Sequence, residues 1–387
     1  MIDAVMRALG MAVAMGWEIL WPLILGFALS AIVQATVSKQ QMSQLLPDDR
    51  PSSIATALAL GAASSSCSYA AVALARSIFR KGAHFTAAMA FEMASTNLVL
   101  ELGLIMLVLL GWQFTLAEFL GAPLMVVFLI LLFRMFLSRD LLEQAKQQAD
   151  KGIAGRMEGH AEMDVSLTEG GSLWQRMTSD RGLTAISHYF VMDWAAVWLD
   201  IVGGLLIAGA LAAWVPNAFW QSFFLTGHPV LATLWGPIVG PLVAVISFVC
   251  SVGNIPLAAV LWNGGISFGG VIAFIFADLI VIPVLNIYRK YYGLKMAGFL
   301  FATFYLAMAA AALIIELIFG GFALVPSERE ARVVEASIAW NYTTRLNLAF
   351  LILAGLLVWC FLKTGGLAML RMMNRPADHG HAHRHAH

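Results

Sequence analysis

Charge is what this chain has least of. Asp, Glu, Lys and Arg make up 12% of its 387 residues, against 60% hydrophobic side chains and a mean hydropathy of +0.80. Soluble domains carry about 25% charged residues, so a soluble globular fold is excluded. The formal net charge is zero and no basic stretch interleaves with aromatics, which excludes nucleic acid as a partner. Cysteine is equally scarce. Cys67, Cys250 and Cys360 are too few and too far apart for a disulfide framework or a CxxC pair. There is no GxxxxGK(S/T) loop to hold ATP phosphates, and no HExxH or Ser–His pair at helical spacing for an intramembrane hydrolase. The expectation is therefore no enzyme, no cofactor and no metal site in the body of the chain.

What is present is oil in long runs. Apolar stretches stand at about 17–36, 114–138, 182–213, 297–322 and 346–362, each near or above the roughly 20 residues a helix needs to cross the hydrocarbon core. An all-α polytopic membrane protein follows, with lipid as its surroundings and the bacterial inner membrane as its expected place. The opening stretch has one Arg, one early acidic residue and no small-residue cleavage site, and reads as an interfacial lead-in rather than a removed signal peptide.

One segment interrupts the oil. Residues 61–82 read GAASSSCSYAAVALARSIFRKG, with Ser64, Ser65, Ser66, Cys67 and Ser68 consecutive between helix-forming apolar flanks. The second half repeats it. Shifted by 183 positions, CSYAAVALARSIFRKGAHFTAAMAFEMAS falls without a gap on CSVGNIPLAAVLWNGGISFGGVIAFIFAD, a shift that carries Ser68 onto Ser251. Cys67 lands on Cys250, Gly82 on Gly265 and Phe91 on Phe274. A related match places Glu18 on Asp200. The chain divides into a first repeat over 1–138 with a hairpin around 54–79, a polar linker over 139–181, a second repeat over 182–365 with a hairpin around 231–263, and a His-rich tail over 366–387.

Charge decides the topology. Arg80 and Lys81 close the first motif, whereas its counterpart around Asn263 has no basic residue. Lys and Arg favour the cytoplasmic side. If both polar segments dip into the membrane and return, then the linker, the Arg289–Lys295 stretch and the basic tail all become cytoplasmic. The segments flanking Cys67 are too short to span, and Pro237, Pro241 and Pro256 break the second. About eight transmembrane helices plus two re-entrant helical hairpins, one entering from each side, is the expected inverted-repeat architecture. Irregular backbone at membrane depth survives where protein or a wet cavity covers it, and transporters of this plan bind at the midplane on discontinuous helices. The hydroxyls of Ser65, Ser66 and Ser68, with Tyr69 and Ser251, are then hairpin-tip groups facing a central cavity.

Further polar residues sit among apolar neighbours. FEMASTNLVLELG places Glu92, Ser95, Thr96, Asn97 and Glu101 directly after the first hairpin, and Asp278 is the repeat counterpart of Ser95. An ionisable group at this depth is costly and marks a functional candidate. Glu92 and Asp278 are the candidate proton carriers, with Asn97 and Asn254 as substrate or hairpin-tip contacts. The alternative is that all of them satisfy backbone freed at broken helices. His188, Asp193 and Asp200 share one long helix, and the Trp residues fit interfacial belts. Five histidines in 379–387 could bind zinc, copper or nickel weakly.

CSYAAVALARSIFRKGAHFTAAMAFEMASTNLVLELG, together with the second Cys-Ser at Cys250–Ser251, resembles the signature of the bacterial predicted-permease family that contains the organoarsenical efflux permease ArsP. The resemblance implies a secondary-active permease, driven by protons, that exports trivalent organoarsenicals such as methylarsenite and aromatic arsenicals and confers resistance. A small-molecule substrate is then the principal partner, and the architecture admits a homodimer. Arsenic(III) is soft and prefers thiolate sulfur, so Cys67 and Cys250 at paired tips become candidate ligands. A permease for another soft or sulfur-containing solute, or a passive channel, is the alternative.

Overall fold

The computed structural model describes residues 2–36, 44–64, 68–150, 173–214, 216–247, 251–329, 331, 340 and 342–368. The linker centre, the His-rich end, and Ser65, Ser66, Cys67 and Cys250 lie outside the described residues, as do the side chains of Glu18, Tyr69 and Asp200. Helix is the regular structure of everything described. The first half holds α1 (Ile2–Thr36), α2 (Pro51–Ser64), α3 (Ser68–Arg80), α4 (Phe85–Asn97), α5 (Leu100–Leu109) and α6 (Trp112–Phe136). The linker contributes α7 (Arg139–Ala149) and α8 (Leu173–Thr178). The second half holds α9 (Asp180–Trp214), α10 (Asn217–Phe223), α11 (Pro229–Ser247), α12 (Ser251–Gly264) and α13 (Phe268–Phe276). A 3₁₀ turn (Ala277–Ile280) follows, then α14 (Ile282–Tyr292), α15 (Leu294–Gly321) and α16 (Tyr342–Lys363).

The 183-position shift carries helix onto helix. It moves α3 at Ser68 onto α12 at Ser251, and the run Phe85–Leu109 onto Phe268–Tyr292, both 25 residues long. Among the described residues, five helices are long and apolar enough to cross a membrane, and six counting the bent α1, in keeping with the expected all-α polytopic fold. The two runs that the shift superposes are the most deeply enclosed, at 72% and 83% buried, while Trp112–Phe136 and Leu294–Gly321 reach 44% and Tyr342–Lys363 only 11%. Both enclosed runs are broken. Leu98 and Val99 part α4 from α5, Val99 being extended at φ −93°, ψ 144°. The 3₁₀ turn parts α13 from α14, where Val281 is extended and Pro283, near the start of α14, has no N–H to continue the preceding helix. Interrupted backbone sits where other helices cover it, as a hydrocarbon surround demands.

Packing interlocks the halves. In each half the first hairpin arm lies on the first broken segment: α2 on α4, and α11 on α13. The second arm crosses to the other half, α3 against α14 and α12 against α5. α1 runs along α9, and α6 along α15. α1 bends by 46° between Ala4–Ala14 and Ile19–Leu29. At the bend, Asn347 of α16 donates to the Trp17 carbonyl at 2.7 Å and accepts from the Trp21 N–H at 2.9 Å. Those two groups would otherwise pair along the helix, and a side chain inserted into the ladder is a recognised cause of a kink.

The segments that follow α6 and α15 each tie down the second hairpin arm of their own half. After α6, the carbonyl of Ala149 at the end of α7 accepts two bonds from buried Arg76 of α3, at 2.7 and 3.2 Å. After α15, Arg329 donates to the carbonyls of Trp262 and Ile266, at 2.9 and 2.7 Å, and stacks over the Trp262 ring. Asn263 and Ala331 add two reciprocal bonds there.

Hairpin and broken helix meet at glycines. A Cβ on Gly61 would lie 2.5 Å from the Phe91 carbonyl oxygen, and one on Gly240 would lie 2.4 Å from that of Gly270. Backbone cannot yield as a side-chain tip can, so Gly61→Ala and Gly240→Ala should each destabilise by about 1–3 kcal/mol, the usual range for overpacking. Gly298→Ala, with open space around it, should be neutral or mildly stabilising. Thermal unfolding of the three purified variants in detergent checks this, and equal stability of all three would contradict the packing.

Candidate functional site

The two hairpins touch where their second arms begin. Ser68 and Ser251, the first residues of α3 and α12, are both buried, and the Ser251 N–H donates to the Ser68 hydroxyl at 3.3 Å. That hydroxyl in turn donates to Asp278 Oδ2 at 2.7 Å. Ser68 therefore links its own counterpart to a carboxylate of the opposite half, using its oxygen as donor and acceptor. Asp278 occupies the 3₁₀ turn, where the N–H groups of Asp278 and Leu279 and the Thr96 hydroxyl also act on its carboxylate. Asp278 Oδ1 has no partner among the described residues. Helix interruption is what makes this possible, since free N–H groups are available only at helix ends.

Glu92 lies on α4 and is fully buried. Its Oε1 accepts from the Tyr288 hydroxyl of α14, its Oε2 has no partner among the described residues, and the charge of Asp278 acts on it. The hydroxyl of Tyr292, one turn beyond Tyr288, is buried and likewise unpartnered. The two expected proton carriers thus sit in one electrostatic neighbourhood at the crossing of the halves.

Around them the amides and hydroxyls divide by role. Ser95 bonds the Glu92 carbonyl at 2.8 Å and Thr96 the Met93 carbonyl at 3.2 Å. Asn97 donates to Met93 O at 3.1 Å and to Thr96 Oγ1 at 3.0 Å. These side chains satisfy carbonyls at the end of α4, the bland alternative to ligand binding. Asn97 keeps its Oδ1 free, however, and Asn254, fully buried in the first turn of α12, has neither Oδ1 nor Nδ2 partnered among the described residues. Buried amides are normally hydrogen-bonded. The Asn254 amide thus has capacity that the described residues do not fill.

Other candidates lie elsewhere. His188 bonds Thr364 at 2.8 Å and packs on Phe361, a structural contact with the end of α16. Asn286 accepts from Arg289 on an exposed helix face. Trp17 donates to Thr344, and Trp194 packs edge-on against Phe27. Cys360 contacts the Leu183 carbonyl at 3.9 Å. Sequence reasoning missed Tyr288 of α14, and Glu118, a lone acid in the apolar α6 with no motif around it.

A family profile described as predicted permease matches residues 4–317, which takes in both hairpins, both broken helices and every polar group of this crossing. The chain belongs to that predicted-permease family. A Mycobacterium tuberculosis (strain ATCC 25618 / H37Rv) protein carrying the name permease Rv2963 is 60% identical over 347 residues, covering 90% of this chain and 86% of the relative. No solved structure gives a match. The permease is accordingly a multi-pass membrane protein.

The two serines of this permease are not equivalent. Ser68 contributes its hydroxyl, whereas Ser251 is seen to contribute its backbone N–H. Ser68→Ala should strand the Asp278 carboxylate and cost about 1–3 kcal/mol, the usual penalty for an unsatisfied buried group. Ser251→Ala keeps the N–H and should cost little. Denaturation midpoints of the two variants in matched detergent provide the check, and the reverse order would overturn the assigned geometry.

Proposed function

We propose that the permease is a secondary-active exporter of trivalent organoarsenicals, driven by protons across the bacterial inner membrane. Its two halves, 1–138 and 182–365, act as inverted repeats around one site at the hairpin tips. The observation that carries this reading is the Ser68 contact with Ser251 and Asp278. Ser68 follows Cys67 in the chain and Ser251 follows Cys250, so the only two thiols related by the repeat each stand one peptide from a contact that includes a buried carboxylate.

The chemistry fits such a site. An organoarsenical R–As(OH)₂ has two exchangeable hydroxyls. Exchange with two thiols forms two As–S bonds, breaks two As–O bonds and releases two waters, each made from an arsenic hydroxyl and a thiol proton. In this reading Asp278 takes a proton from a thiol and returns it to a departing hydroxyl, which is general acid–base work. The same route run backwards, by water on the far side, frees the solute. Asn97 and Asn254 supply unpaired donors and acceptors for arsenic-bound oxygens, and the apolar helices hold the organic group. Glu92 and Asp278, facing each other's charge, pass the coupling proton.

Uptake of methylarsenite into everted membrane vesicles under a pH gradient tests the proposal. Wild type should accumulate it, and the Cys67→Ser/Cys250→Ser variant should lose most accumulation and be little worse than either single change, because two groups acting as one site are not additive. Asp278→Asn and Glu92→Gln should abolish the pH dependence. Flux that ignores the gradient in wild type would favour a passive channel. Full activity of the double serine variant would rule out thiol capture and leave a permease that works through hydroxyls and amides, suited to another soft solute.

A further inference from the structure

Glu118 has no part in the scheme above, yet it is buried at the heart of the molecule. The inward face of α6 runs along the whole of α13. Phe114, one turn before Glu118, packs on Phe268 with ring centroids 4.6 Å apart. Gly121, nearly one turn after it, approaches so closely that a Cβ there would lie 2.8 Å from Phe276 Cζ. Glu118 thus sits between contacts to the first and last residues of α13, and Asp278 follows two residues later. Glu118 is fully buried, and neither of its carboxylate oxygens has a hydrogen-bond partner among the described residues. The charge that acts on it is that of Asp278.

Among the described residues, α6 packs against α4, α5, α12, α13 and α15; these carry Glu92, Glu101 and Glu316, with Asp278 in the turn after α13, and their one base, Lys295 of α15, is exposed. No Lys, Arg or His on any of them is buried. The other acids have their answers. Tyr288 donates to Glu92, and Ser68 to Asp278. Glu101, near the start of α5, is served by its own backbone N–H. Glu316 accepts from the Gly269 N–H, with Arg329 acting on its charge. Glu118 has nothing comparable. An ionised carboxylate there would be an uncompensated buried charge, which a low-dielectric interior strongly disfavours, and it would sit beside a second acid that cannot comfortably ionise at the same time.

We propose that Glu118 is a further proton station of the permease, holding its proton at neutral pH and exchanging it with Asp278 during the transport cycle. Its role rests on the proton-coupled reading above; its protonated state does not. The exchange moves one proton from the Glu118 carboxyl to the Asp278 carboxylate and leaves the negative charge on Glu118, with no other bond altered. Asp278 is then recharged from within the protein after it has served the solute, and the path from the hairpin tips continues through α6 rather than ending at Glu92.

Two measurements test it. Infrared spectra of the purified permease in lipid at pH 7 should show a protonated-carboxyl band that disappears in Glu118→Gln. If wild type and Glu118→Gln have the same carboxyl band, Glu118 is ionised, or a metal cation occupies the site, and the proposal is overturned whatever the solute. In everted vesicles Glu118→Gln should lose most gradient-driven accumulation of methylarsenite, while exchange of labelled for unlabelled methylarsenite at equal pH is slowed far less; Glu118→Asp should recover part of the accumulation. Accumulation equal to wild type, or exchange and accumulation lost together, would also overturn it. Unchanged pH dependence in Asp278→Asn would instead sink the coupling route itself, so the two failures are separable.

Discussion

Hydrocarbon offers nothing to a polar group, and the arrangement of this permease follows from that. Each interrupted helix frees backbone groups that water cannot reach, and each buried acid needs a donor, a proton or a partner. The structure answers both demands at one place. The breaks after Asn97 and at Asp278 face the same crossing, so hydroxyls, amides and free N–H groups of one half serve the other. Had the breaks lain apart, each would have needed its own polar cover, and the molecule would hold two small polar pockets in place of one larger site.

Covering the site from outside is left to ordinary packing. α1, α6, α9, α15 and α16 surround the broken helices, and their outward faces carry exposed Leu, Val, Ile and Trp such as Leu131, Leu206, Leu306 and Trp359, as lipid contact requires. Small residues let the inner layer close up. Gly61 and Gly240 bring the first hairpin arms onto α4 and α13 at distances a methyl group would forbid, so the hairpins are held by backbone contact rather than by large interlocking side chains. Close approach of that kind is typical of helices packed within membranes.

Much of this was legible in the sequence because the repeat doubles each signal. A single Ser-rich stretch could have been a loop; two Cys-Ser motifs in register, each followed by a Gly and an aromatic, marked paired hairpins, and the helices α3 and α12 begin at those serines. Glu92 and Asp278 stood out as acids in oil, and the charge of Asp278 acts on Glu92. Asn97 was legible as polar, but not that its amide nitrogen is spent on Met93. Glu118, Tyr288 and Asn347 were illegible for a common reason. Each is a lone residue whose importance comes from a partner more than a hundred positions away, or from the lack of one, and no local pattern records that. The Cys67 and Cys250 positions remain as the sequence motif presents them, beside the serines that touch.

Arginine ties on the two hairpin ends differ in a way the repeat does not dictate: Arg76 sits on the hairpin arm and reaches out to Ala149, whereas Arg329 sits on the trailing segment and reaches in to Trp262 and Ile266. The acids are likewise unpaired by the duplication, Asp278 matching Ser95 and Glu92 matching Ile275. A carrier of two strictly identical inverted repeats would have inward-open and outward-open conformers related by the two-fold rotation and equal in energy, and the site would idle evenly between them. Unequal fastenings and one-sided acids lift that degeneracy. In the transport cycle proposed above, they bias the empty carrier toward loading from one side before any solute or gradient acts on it.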